Sequence, residues 1–135
     1  MVSGRNMRIS WRKAVRKVPT PEGRVKDKID AILAKYAVYY FKPVQMGIGA
    51  AGLDYHCVVR VGDTPVAFFI EAKREGGKTT ARQEELINKL RRDFRCNVFL
   101  VDSPFALSML DEWLRKISRA VENDSALRTH NKLRA

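Results

Sequence analysis

Two β-prone arms meet at Gly62-Asp63, and this junction restricts the chain more than any other stretch of it. A Gly-Asp pair between apolar runs favours the positive φ values of a tight hairpin loop. The second arm, Pro65 to Lys73, alternates with period two. Val66, Phe68, Ile70 and Ala72 take one face; Ala67, Phe69, Glu71 and Lys73 take the other. With Gly62 and Asp63 as the two loop residues, Val61 faces Thr64, and counting outward sets Asp54 opposite Glu71. Directly opposed residues have Cβ atoms roughly 4.5–5.5 Å apart, and like charges there are destabilising.

A pair of carboxylates at the end of an apolar strand calls for a compensating cation, and a divalent metal is the simplest one. Hard cations such as Mg²⁺ take oxygen ligands, typically one or two carboxylates with waters and phosphate oxygens. Lys73 shares the face of Glu71 and places an ammonium beside the same point. A metal and a lysine together suit stabilisation of charge on a phosphate undergoing hydrolysis. The plainer alternative makes Asp54 a turn cap and Glu71–Lys73 a surface ion pair on an edge strand. Phe68-Phe69-Ile70 argues against an exposed edge, because runs apolar on both faces belong to strands covered on both sides.

Lys and Arg outnumber Asp and Glu by 26 to 15, a net charge of +11. Such an excess points to a polyanionic partner, and nucleic acid is the expected one. A chain of 135 residues is one domain's worth, and its longest apolar runs, Ala37–Phe41 and Val66–Ile70, are far too short to span a bilayer. No signal-peptide pattern is visible at the N-terminus, so a cytoplasmic location and no membrane partner are expected. Cys57 and Cys96 lie in strand-like, apolar surroundings and are expected as buried thiols.

The remaining elements follow from caps and periodicity. Residues 1–19 form a basic arm with Arg5, Arg8, Arg12, Lys13, Arg16 and Lys17. Thr20-Pro21-Glu22 starts a helix, with Thr as N-cap, Pro at the first helical position and an acid in the first turn. Val25, Ile29, Ile32 and Leu33 give its buried stripe, with Lys26, Lys28 and Lys35 on other faces. Ala37–Phe41 is the first strand. Gln45–Gly52, with three glycines, is a loop that lets backbone approach something closely. Arg74–Thr79 is a glycine-hinged loop, and Thr80-Ala81-Arg82-Gln83 matches a capping box. Leu86, Leu90 and Phe94 are the expected stripe of that helix, followed by a strand at Asn97–Val101. Ser103-Pro104 opens the last helix, with Leu107, Leu110, Leu114, Ile117 and Val121 at three-four spacing. The domain is expected over 20–121, with a fraying, polar, basic tail at 122–135. His56 shares the face of Asp54, where a structural role is expected.

Gly52-x-Asp54, sixteen residues, Glu71-Ala72-Lys73, and then Gln83 at a helix start make an ordered set. This set resembles the PD-(D/E)XK nuclease superfamily, and more narrowly its VRR-NUC (virus-type replication-repair nuclease) domain, over roughly Thr20 to Trp113. The proline that usually precedes the aspartate in that family is Leu53 here. The resemblance implies an α/β fold with a restriction-endonuclease-like core, a mixed sheet flanked by helices in the order α-β-β-β-α-β-α. It implies a catalytic set of Glu22, Asp54, Glu71, Lys73 and Gln83, although capping alone also accounts for Glu22 and Gln83. Asp54, Glu71 and the carbonyl of Ala72 would hold Mg²⁺ or Mn²⁺. The implied activity is metal-dependent hydrolysis of DNA, with branched or junction DNA as a structure-selective substrate. Small phage or bacterial members able to form a homodimer are the relatives it implies. Two other classes fit the same composition: a catalytically inactive DNA-binding module of this fold, and a basic structural protein of a virion or replication complex.

Overall fold

In the computed structural model the described residues run from 18 to 44 and from 52 to 134, with side chains described to 119. The basic arm up to residue 17, the glycine-rich loop at 45–51, and the side chains of Val121 and of the C-terminal tail lie outside them. The element order is α1 (Pro21–Ala34), β1 (Val38–Phe41), β2 (Tyr55–Val61), β3 (Thr64–Ala72), α2 (Ala81–Arg92), β4 (Asn97–Val101) and α3 (Pro104–Arg134). This is a mixed α/β fold: one four-stranded sheet in the order β1-β2-β3-β4, with three helices among the described residues.

The hairpin sets the register. Gly62 adopts φ 62°, as the first position of a primed two-residue turn requires, and Val61 pairs with Thr64. The antiparallel ladder then runs out to Tyr55 opposite Ile70. On its other side β3 pairs in parallel with β4, Phe68 beside Asn97 through Ala72 beside Val101. A parallel neighbour needs a crossover connection, and α2 supplies it. Strand β3 is therefore interior and covered on both faces, as its doubly apolar run requires.

The two faces carry different layers. Tyr55, Cys57, Val59, Phe68, Ile70 and Ala72 form the main core with Ile29 and Leu33 of α1 and Leu110 and Leu114 of α3. Trp113 fills the join, its ring 5.0 Å from Phe68 and 5.1 Å from Phe99. On the opposite face Leu53, Ile87 and Val98 make a smaller cluster against Phe69, Leu86 and Leu90. Helix α2 covers the β3–β4 half of that face, while Tyr39, Phe41 and Val58 on the β1–β2 half stay exposed.

The caps form as read. Thr20 accepts from the Gly23 amide, Thr80 and Gln83 complete a reciprocal capping box, and Ser103 Oγ accepts from the Ala106 amide. Three expectations need correction. Helix α2 ends at Arg92, so Phe94 falls beyond its C-cap and is exposed, and Ile87 takes the buried place instead. Helix α3 carries on to Arg134 through the stretch expected to fray. The Ala, Leu, Lys and Arg residues in that stretch have high helix propensity. Cys57 is buried and its thiol is pushed up to about 12 by burial, but Cys96 precedes β4 and is only half-buried.

Candidate active site

Asp54 lies one residue before β2, where the ladder gives way to side chains. Its backbone amide donates to Glu71 Oε2 at 3.1 Å, and the Ala72 amide donates to Asp54 Oδ2 at 2.8 Å. Beyond the ladder, side chain-to-backbone bonds thus tie the two strand ends, Glu71 accepting from Asp54 and Asp54 from Ala72, the residue after Glu71. They stand opposite one another, as counting from the turn requires. In an extended strand a residue's N–H and C=O leave on the same edge, so the Ala72 carbonyl also heads towards Asp54.

Glu71 is 2% exposed, the one buried charged side chain among the described residues. Burial, with the neighbouring Asp54 charge second, pushes its carboxyl up to about 7. Donors pull the other way. Gln83 Nε2 donates to Glu71 Oε1 at 2.7 Å, and Lys73 Nζ stands 3.4 Å from the same oxygen. Gln83 performs two tasks, because its Oε1 accepts from the Thr80 amide at 3.0 Å. The capping box therefore holds the amide that fixes Glu71.

Lys26 is the residue that sequence reasoning missed. It was placed on another face of α1, yet its Nζ lies 3.3 Å from Asp54 Oδ1. Glu22 is one helical turn earlier, so a face assigned to Glu22 would have included Lys26 as its i+4 neighbour. With Lys73 on Glu71 and Lys26 on Asp54, two ammonium groups compensate two carboxylates inside the protein. Lys73 offsets only part of the cost of burying Glu71 beside Asp54, since the Glu71 pKa stays raised.

A second network seats α1 on the sheet. Tyr55 donates its hydroxyl to Asp30 Oδ1 at 2.7 Å and stands 3.1 Å from the Lys26 carbonyl oxygen. Burial and Asp30 raise the Tyr55 pKa, so the phenol stays protonated. Lys42 closes the network with a 2.7 Å bond to Asp30 Oδ2. Tyr55 directly follows Asp54, so this anchor holds Lys26 and the Asp54 carboxylate in one register.

Glu22 is set apart from the pair. It lines a cleft of about 740 Å³ with Thr20, Lys73, Arg74, Gly77 and Lys78, and makes no ion pair among the described residues. No third His, Cys, Asp or Glu joins Asp54 and Glu71 in a cluster there. His56 packs its ring edge-on to Phe69 at 5.1 Å, and burial lowers its pKa.

The donor set tests well for a hard cation. Asp54, Glu71 and the Ala72 carbonyl offer oxygens only. Glu71 Oε2 and Asp54 Oδ2, each accepting one backbone hydrogen bond, keep a further lone pair, while Glu71 Oε1 already faces both Gln83 and Lys73. Among the described residues no helix is long and apolar enough to cross a membrane. No protein-family model matches the chain, and a search of curated proteins finds no match either.

Proposed function

We propose that this chain is a Mg²⁺- or Mn²⁺-dependent DNA endonuclease with a PD-(D/E)XK core of the VRR-NUC kind. One observation carries the reading: Glu71 is desolvated directly beside Asp54 at the ends of two interior strands, with Lys73 on its oxygen. Burying an acid beside another acid weakens a fold, and such groups concentrate at sites of chemistry. A bound divalent cation would supply a more acidic water and a polarised phosphate.

The chain's own residues divide the remaining work. Asp54, Glu71 and Ala72 offer the oxygens. Gln83 keeps Glu71 Oε1 in place through the helix cap. Lys73, largely buried beside Glu71, presents its ammonium to the cleft, where it would orient a water or stabilise negative charge on phosphate. Arg74, Lys78 and the N-terminus of α1 line that cleft and suit a phosphodiester backbone. Lys26 neutralises Asp54 until a stronger cation replaces it.

That last contact favours a second reading. Carboxylates already balanced by lysines also suit a catalytically inactive DNA-binding module of this fold. Incubation of supercoiled plasmid or junction DNA with Mg²⁺ separates the two. A nuclease nicks it, EDTA stops the reaction, and Asp54→Ala or Lys73→Ala lowers the rate by about 100-fold or more. Cleavage indifferent to both substitutions would overturn the site. Binding with no cleavage would leave the inactive module.

A further inference from the structure

We propose that the uncovered half of the sheet is a stacking platform for unpaired nucleotides leading into the carboxylate pair. It rests on the reading above for taking nucleic acid as the partner, and it adds that the strand is unpaired where it touches the sheet. Tyr39 is 72% exposed, Phe41 54% and Val58 40%, on a face that α2 leaves open.

The register orders these side chains in rows. Asp54 opposes Glu71 in the first row. Phe41, His56 and Phe69 form the second, with Phe41 6.4 Å and Phe69 5.1 Å from the imidazole, both edge-on. Tyr39, Val58 and Ala67 form the third, and Arg60 with Pro65 the fourth. Successive rows lie two residues apart, about 7 Å along the strands, which is close to the span of one nucleotide in an extended single strand.

Chemistry selects the occupant. A cation ends the rows on each side, Arg60 in the fourth row and Lys73 beyond the first. Among the described strand residues the acids on this face are the site pair itself. Exposed aromatic faces on a sheet with flanking cations suit bases that stack and phosphates that are neutralised. A duplex cannot use Tyr39 or Phe41 this way, because its bases already stack on one another.

The test measures binding of fluorescent oligo(dT), of a matched abasic strand and of a duplex in EDTA, where no cleavage interferes. Tyr39→Leu and Phe41→Leu keep apolar bulk and remove the ring. Each is expected to weaken oligo(dT) binding by about ten-fold with the duplex unchanged, and Tyr39→Trp is expected to restore binding. The abasic strand should bind more weakly than oligo(dT) and be indifferent to both substitutions. Wild-type affinity for oligo(dT) in the double Leu variant, with its melting temperature intact, overturns the platform. So does a double variant that changes self-association in sedimentation and leaves oligo(dT) binding alone, since the face would then meet a second copy. Failure of the nuclease reading appears elsewhere, as absent nicking with Mg²⁺, and leaves these affinities interpretable.

Discussion

Replacing Glu71 with Gln probes the strain at the site without deleting its shape. The folded chain holds the Glu71 proton up to about pH 7, against an ordinary 4.5. Between those values the folded state carries more protons than the unfolded one, so stability falls as pH rises through the window. Each pH unit of difference corresponds to 1.36 kcal/mol. The full cost of ionised Glu71 above pH 7 is then roughly 3 kcal/mol, most of which accrues between pH 5 and pH 8. Glu71→Gln has no proton to lose there. Its amide also places a donor against either Gln83 or the Asp54 amide, but that cost is the same at both pH values and cancels. Urea unfolding of both proteins in EDTA at pH 5 and pH 8 reads the difference. Wild type is expected to lose about 2–3 kcal/mol more than the variant over that range. Parallel losses would refute the reasoning and leave Glu71 an ordinary hydrogen-bonded side chain.

Gln83→Glu should keep the cap on Thr80 but set a third carboxylate against Glu71. The pH at which stability declines is then expected to move upward, and plasmid nicking to fall while the α2 helix survives by circular dichroism. Tyr55→Phe removes the hydroxyl bound to Asp30 and leaves that carboxylate short of a donor, an expected loss of about 1–2 kcal/mol in urea unfolding. Leu114→Ala empties a fully buried place between α3 and the sheet, for an expected loss of about 2–5 kcal/mol by the same measurement.

Much of the frame is legible in the residues because local rules happen to fix it. The Gly62-Asp63 turn sets the phase of the hairpin, and period-two alternation carries that phase out to Asp54 and Glu71. Thr20, Thr80 with Gln83, and Ser103 announce three helix starts through capping chemistry that needs no tertiary context. What stayed hidden depends on reach and coverage. Lys26 meets Asp54 only because a long side chain on α1 crosses to the end of β2. Phe94 fits the helical period yet falls past the end of α2, where period no longer governs burial. The open β1–β2 face could not be read because Tyr39-Tyr40-Phe41 is apolar on both sides, and only the placement of α2 decides which side is covered.

Titrating Mn²⁺ into the protein in buffers of different ionisation enthalpy tests most directly whether the carboxylate pair binds metal. Burial beside Asp54 raises the Glu71 pKa, so part of the population holds its proton at pH 7. Binding is then expected to release protons at pH 7, fewer at pH 8.5, and none in Glu71→Gln. Absence of binding, or the same proton release in the variant, would contradict a metal held by Asp54 and Glu71.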